Sequence, residues 1–595
     1  MATISGSSDE KVFKIDKWLG LNESPDGDTK LKLGEATVMK NWRVTRDGNL
    51  QKRPGALSVA ELGDTPVQGV WSGTVSGKDY LVAACDSKLW KLWADGDWTL
   101  PANIGAISTT GQVSMFGYGG NLYILDGAEY RVWNGTTLST VSGYIPVVAT
   151  AVPPAGGGIT YEQINKLSAY RKVRFSPDGT STLFQLPEKN LGDIDSVTNL
   201  STGSAMTGWT KNNTNGTVSF TSPPSAGNSY MEVQYHMSSD YRSQVVAMKY
   251  AETYNGANDN RLFLYGDGSN QAFYSGLDEN GKSRADYFPD LNVLDVGEAN
   301  TPITAMVRQY STLAVFKTNA AYFVQYGTLA LEDGSVAAAF YTTPLNRDIG
   351  NAAPGQVRLV LNNPVTLHGN DAYEWRSTTV QDERNVKRIS DRVAATLASY
   401  DLSSCFCWDD NDGQEFYICY NDSALVWNYA VDAWYFYDSL PVVCMCSHNG
   451  KVYYGTPDGN VMELDESHAS NNGEAIEAKW VSGSMAFGKE FMRKSSAVLW
   501  VGLKPEGRSS VTVTIRTDRK AEYSEKIIAS SLGTFAHANF GAWSFLTNYR
   551  PKLYRLKLKA KKFVYYALVF ENDSLDETAT VTAADIRVRF IGYAK

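Results

Sequence analysis

Cys405 and Cys407, and again Cys444 and Cys446, stand two apart in runs that read as strands. On a strand that spacing puts both thiols of a pair on one face, so four sulfurs could converge on a zinc ion. Metal knuckles usually hold two intervening residues in a turn, however, and a free cysteine packs as a small hydrophobe. Both pairs also sit where comparable strands carry Ala, Ser or Val, so simple packing is the expectation. Asp409, Asp410 and Asp412 crowd the approach to Gly413; such a cluster suits a glycosidase acid–base pair, a weak calcium site or a hydrated turn. His236, His368, His448, His468 and His537 lie far apart, without the paired spacing of zinc hydrolases. No glycine loop of the phosphate-binding or dinucleotide-binding kind follows a strand. The chain advertises no catalytic residue, no cofactor site and no metal site.

The elements that would have to position such groups are strands. The chain has 595 residues and a formal charge of −9; it is 43% hydrophobic and 12% aromatic, with 51 Gly, 34 Tyr and 15 Trp. That length exceeds what one core supports, and aromatic and β-branched side chains fit a pleated, half-buried surface. No apolar run approaches the roughly 20 residues needed to cross a bilayer. The opening residues lack the basic and apolar stretches of a secretory signal, and six cysteines are too few for a disulfide scaffold, so a reducing compartment is expected.

A recurrent unit of strand, tight turn and strand runs along most of the chain. It appears at 80–93, 113–126, 261–274, 312–324, 365–375, 414–429 and 442–454, with turns such as Asp86-Ser87, Gly119-Gly120 and Asn449-Gly450. Units that cannot bury their faces alone must stack, and a radial ring of four-stranded blades is one solution. The expected fold is all-β: a β-propeller of six to eight blades with an inserted small β-sandwich and a C-terminal β-sandwich. An irregular stack of sandwiches is the rival. The expected boundaries are an extended arm over 1–60, propeller over 61–154, inserted sandwich over 155–245, the rest of the propeller over 246–465, and the last sandwich over 475–595. Ser176, Asp178, Gly179 and Thr180 only approximate the Asp box of propeller sialidases, because the Gly comes one place early.

Charge is unevenly spread. Residues 480–595 carry 19 Lys/Arg against 10 Asp/Glu, a net +9, which leaves −18 for the remainder. Lys557, Lys559 and Lys561 alternate with Leu556, Leu558 and Ala560, placing a basic row on one sheet face. That row is a solvated face protecting an edge strand or a docking face for an acidic neighbouring subunit, with contact to DNA as a lesser third reading. In the arm, Trp42 is either an anchor on a neighbouring subunit or the lid of the first blade, and Lys52 and Arg53 would pair with an acidic partner.

Glu35, Ala36, Met39, Asn41 and Trp42, followed by Gly48, Leu50, Lys52, Arg53, Pro54 and Gly55, resemble the N-termini of bacteriophage tail proteins of the nozzle type (tail tubular protein B). Gly216, Thr217, Val218 and Phe220, with Pro223, Pro224 and Gly227, look like small β-modules common in phage tails. The resemblance implies a non-enzymatic virion protein made in the host cytoplasm. It further implies a homo-oligomeric ring, often of six copies, around the DNA exit channel, in contact with adaptor, fibre or spike proteins and with DNA in passage. Trp42, Lys52, Arg53, Lys557, Lys559 and Lys561 are the candidate subunit-interface residues. Removing residues 1–55 is then expected to leave a folded monomer that does not assemble. The alternatives are a receptor-binding module that grips host glycans and a tail-associated glycan hydrolase.

Overall fold

The computed structural model describes residues 10–24, 29–256, 259–330, 336–376, 385–506, 508–519, 522–529 and 550–593. His537 lies outside them. Among the described residues the chain is all-β, with two short α-helices, Arg242–Val246 and Ala394–Leu397. None of its helices is long and apolar enough to cross a membrane.

Every hairpin read from the sequence is present, and each grows into a four-stranded antiparallel meander. The opening strands of the seven meanders are Gly69–Val75, Ser114–Tyr118, Tyr250–Gly256, Ile303–Gln309, Arg358–Val360, Phe406–Asp410 and Cys444–His448. The turns form where the residues favour them. Asp86 and Ser87, Gly119 and Gly120, and Asn449 and Gly450 all take positive φ, the primed-turn backbone whose twist matches the strands it joins.

The seventh meander is built from both ends of the sequence. Its strands Cys444–His448, Lys451–Gly455 and Asn460–Asp465 are completed by Gly55–Glu61. Opening strands neighbour one another in chain order, and Cys444–His448 lies beside Gly69–Val75. Most neighbouring pairs of sheets share an apolar core of their own. Val82 and Leu89 meet Ile124 and Trp133 between the first and second. Leu125 and Tyr130 meet Leu262 and Phe273 between the second and third. Phe263 meets Val315 between the third and fourth, and Phe316 meets Trp375 between the fourth and fifth. Leu81 and Leu92 meet Cys446 and Val461 between the first and seventh.

Between the second and third meanders sits a two-sheet module. One sheet centres on Tyr170–Phe175 and Met231–His236, the other on Thr217–Phe220, and together they enclose Val173, Phe175, Phe184, Val218, Val233 and Tyr235. Its first strand, Val147–Val152, begins before the boundary expected at 155.

The N-terminal segment departs most from expectation. Glu35–Lys40 lies between Ala433–Tyr437, the last strand of the sixth meander, and Ala478–Ser482 of the C-terminal region. It thereby joins them in one ten-stranded sheet that continues through Tyr566–Asn572, Ser510–Thr517 and Glu522–Ile528. Trp42–Val44 and Leu50–Lys52 form a hairpin, and this hairpin extends a seven-stranded sheet through Thr580–Tyr593. The described residues of this segment are therefore not an arm without a core. Two strand edges, each with unpaired backbone N–H and C=O groups, accept Glu35–Lys40 on either side, and Ala36, Met39, Trp42, Val44 and Leu50 enter the largest apolar cluster of the molecule.

Candidate functional site

The segment from Glu35 to Gly55 forms a buried brace. Asn41 is its hub, with φ 56°, a conformation that Asn tolerates better than most residues. Its Nδ2 donates to the Asp438 carboxylate and to the Glu477 carbonyl (2.8 Å). Its Oδ1 accepts from Arg53 Nε (2.9 Å) and from the Asp438 backbone N–H (3.0 Å). Arg53 also donates to the carbonyls of Pro54 (2.9 Å) and Asp438 (3.0 Å) and to Asn471 Oδ1 (3.2 Å), with its guanidinium 5.6 Å from the Tyr437 ring centre. Lys52 Nζ donates to Asn572 Oδ1 at 2.6 Å, and burial pulls its pKa down to about 8. A Cβ on Gly55 would lie 2.2 Å from the Ser470 carbonyl oxygen, so only glycine passes there.

These facts correct the interface reading for three residues. Trp42 is 0% exposed, Lys52 4% and Arg53 2%, so none of them offers a surface to a neighbouring subunit. Their partners belong to the same chain, and a desolvated cation so held is a strut.

The other candidates fall as follows. Lys557, Lys559 and Lys561 are exposed, and Leu556, Leu558 and Ala560 are buried beneath them. The strand is interrupted between Lys552–Leu556 and Ala560–Phe563, yet both pieces pair with Met492–Leu503 and the alternation survives the break. All six cysteines are free and buried. Cys405 Sγ donates to the Asp401 carbonyl and Cys444 Sγ to that of Val67, and burial pushes the thiols of Cys405, Cys407, Cys444 and Cys446 up, away from the thiolate a metal would need. Asp410 accepts from the Gly413 N–H at 3.1 Å, a turn contact, and burial raises Asp409 to about 7 and Asp410 to about 6. His236 meets Asp195, His368 the Thr318 carbonyl, His448 Ser72 and His468 Glu463, each separately.

Two features had no counterpart in the sequence reading. Ligand atoms of Glu463, Asp465 and His468 lie within 4.8 Å of one another. Glu463 already accepts from Lys451 Nζ (2.8 Å) and Tyr453 Oη (2.7 Å), so an ammonium fills the role a cation would take. The second feature is a cavity of about 430 Å³ onto which the opening strands of all seven meanders face. Trp71, Phe116, Tyr250, Phe406 and Trp408 supply aromatic walls, Gln68 and Gln112 supply amides, and Glu252 and Arg358 supply one charge of each sign. Glu252 Oε1 accepts the Thr253 N–H (2.9 Å), and burial raises the Glu252 pKa to about 7. Arg358 donates to the carbonyls of Gly355 (2.9 Å) and Val357 (3.1 Å) and to Gln356 Oε1 (3.3 Å), and burial lowers its pKa. The available signal was positional: Glu252 and Arg358 stand on opening strands whose counterparts present Ser72, Ser114, Met306 and Ser447 to the same space.

No protein-family model matches the chain, and no curated protein matches it either. Among solved structures, the computationally designed Ika8 protein is 9% identical, covering 69% of this chain and 99% of that one at a TM-score of 0.29. The AfRom2 CNH domain is 9% identical over 69% of this chain and 99% of its own, with a TM-score of 0.34. The extracellular domain of the putative one-component system BT4673 from B. thetaiotaomicron is 10% identical over 87% and 95%, with a TM-score of 0.21. Similarities this weak establish neither fold family nor function.

Proposed function

We propose that the chain is a non-catalytic structural subunit of a bacteriophage tail, of the nozzle type, and that its seven meanders are the blades of a β-propeller closed by Gly55–Glu61. In this reading, copies of the chain assemble as a ring, six being the number the resemblance implies, around the path of the exiting DNA. The observation that carries the proposal is the buried brace. The residues that resemble nozzle N-termini, Glu35 to Gly55, are the ones that tie the sixth meander, the seventh meander and the C-terminal sheets into one continuous body. A part that must bear load during genome release needs its domains joined by sheet and not by a hinge.

The exposed basic row at Lys557, Lys559 and Lys561, on a region of net +9, faces outward from a chain whose remainder carries −18; contact with the acidic part of the next copy is the assembly mode this supports. Native mass spectrometry with negative-stain imaging tests it. Rings of identical subunits are expected from the purified chain, and the triple change Lys557→Glu, Lys559→Glu, Lys561→Glu is expected to lower ring yield about tenfold, roughly the effect of 1.4 kcal/mol on an assembly constant. A monomer at every concentration, together with absence of the chain from purified virions, would end this reading.

A further inference from the structure

We propose that the cavity enclosed by the opening strands binds a small zwitterion of the α-amino acid class, its cationic end on Glu252 and its anionic end on Arg358. The proposal does not depend on the tail assignment. Both side chains line the same open-mouthed cavity of about 430 Å³, within the roughly 300–1,000 Å³ typical of small-molecule sites.

Each charge influences the other, yet the two form no ion pair within 4 Å, and neither has another counter-ion at that distance among the described residues. Arg358 is held by backbone carbonyls and the Gln356 amide, all neutral acceptors. Among the described residues the second carboxylate oxygen of Glu252 has no donor, while its first takes one backbone N–H. Opposite charges in a buried setting attract strongly, and the cost of leaving Glu252 ionised without a partner is what raises its pKa, a cost that a cationic guest removes. The fold holds them apart on the third and fifth meanders, two strands whose positions are fixed by separate apolar cores. A guest carrying both signs satisfies both at once. A simple cation or anion leaves one charge unmet and adds repulsion from the other. Among the aromatic walls, Trp71, Tyr250 and Phe406 offer ring surface to the ammonium end and shelter an apolar side chain, while the Trp408 ring carries the Arg358 guanidinium, 5.8 Å from its centre.

Thermal melts and titration calorimetry on the full-length protein, with each of the common L-amino acids and glycine betaine as probes, test the proposal. At least one zwitterion is expected to bind with sub-millimolar affinity and raise Tm by about 3 °C at saturation. The matching amino acid amide and the matching carboxylate without its amine are expected to have no such effect. Glu252→Gln is expected to fold at least as well as the parent and to weaken binding tenfold or more; Arg358→Gln is the second variant, and Trp71→Phe, which keeps both charges, is expected to retain most of the affinity. Failure of every zwitterion to bind overturns the proposal, as does binding that survives Glu252→Gln or is matched by the amine-free carboxylate.

Discussion

Asn41 concentrates the physics of the brace in one side chain: it takes a left-handed backbone, donates twice and accepts twice. Asn41→Ala strands the Arg53 guanidinium and the Asp438 carboxylate short of a partner each, an expected loss on the order of 3 kcal/mol. Asn41→Gly keeps the backbone conformation and loses only the amide, so it should recover about 1 kcal/mol of that. Calorimetric melts of the two variants separate the contributions. Asp409 makes a different point. Its carboxyl is raised to about 7 in the fold and titrates near 3.9 when unfolded, so between those values the folded state holds the extra proton. Its contribution is intact below the lower value and is lost as pH rises through the higher one. Asp409→Asn should therefore leave Tm unchanged near pH 4 and raise it near pH 8, by about 1–3 kcal/mol of stability; equal Tm differences at both pH values would refute the assignment. Sequence reading left Trp42 open between a neighbour's surface and the first blade, and placed Lys52 and Arg53 on the surface, because charged side chains are rarely interior. What buries them are Asp438, Asn471 and Asn572, hundreds of positions away, which no local pattern discloses.

At the level of strands, local chemistry spoke clearly. Turn residues at Asp86-Ser87 and Asn449-Gly450 and the alternation in Lys88–Ala94 or Ser423–Asn428 are short-range signals, and each hairpin they predict exists. Pairing between distant strands has no such signal. Glu35–Lys40 reads as a polar arm because its partners, Ala433–Tyr437 and Ala478–Ser482, supply the burial. The consequence reverses the expectation for truncation. Deleting residues 1–55 removes Glu35–Lys40 and opens the ten-stranded sheet, and deleting 1–61 also strips the fourth strand from the seventh meander, so either product should be insoluble or molten, with loss of a cooperative melt. A well-folded monomer after either deletion would contradict this account. The module from Val147 to His236 behaves oppositely, since its core is its own; expressed alone, it should give dispersed amide resonances in an NMR spectrum.

Across the whole molecule, the sequence disclosed the all-β character, the number of hairpins and the basic C-terminal region. It did not disclose the cavity, which no single hairpin owns. Glu252 and Arg358 become neighbours only when the third and fifth meanders are both in place, so their relation is a property of the assembled sheets. The same holds for the charge contrast: −18 against +9 is readable as arithmetic, whereas the outward direction of Lys557, Lys559 and Lys561 depends on Leu556, Leu558 and Ala560 finding an interior. Raising ionic strength should weaken self-association of the chain progressively, because exposed charges are screened within about 8 Å at 0.15 M salt; association indifferent to salt would assign the contact to apolar surface.

The strand Gly55–Glu61 leaves the ribosome long before Asn460–Asp465, the strand it completes. Translation at about 5–20 residues per second puts the interval on the order of 20–80 seconds. For that time an edge built for pairing has no native mate, and every earlier meander waits beside it without its final neighbour. Biogenesis, more than equilibrium stability, is where this architecture is exposed, and nascent chains stalled before residue 460 should be the species that chaperones capture and proteases cut.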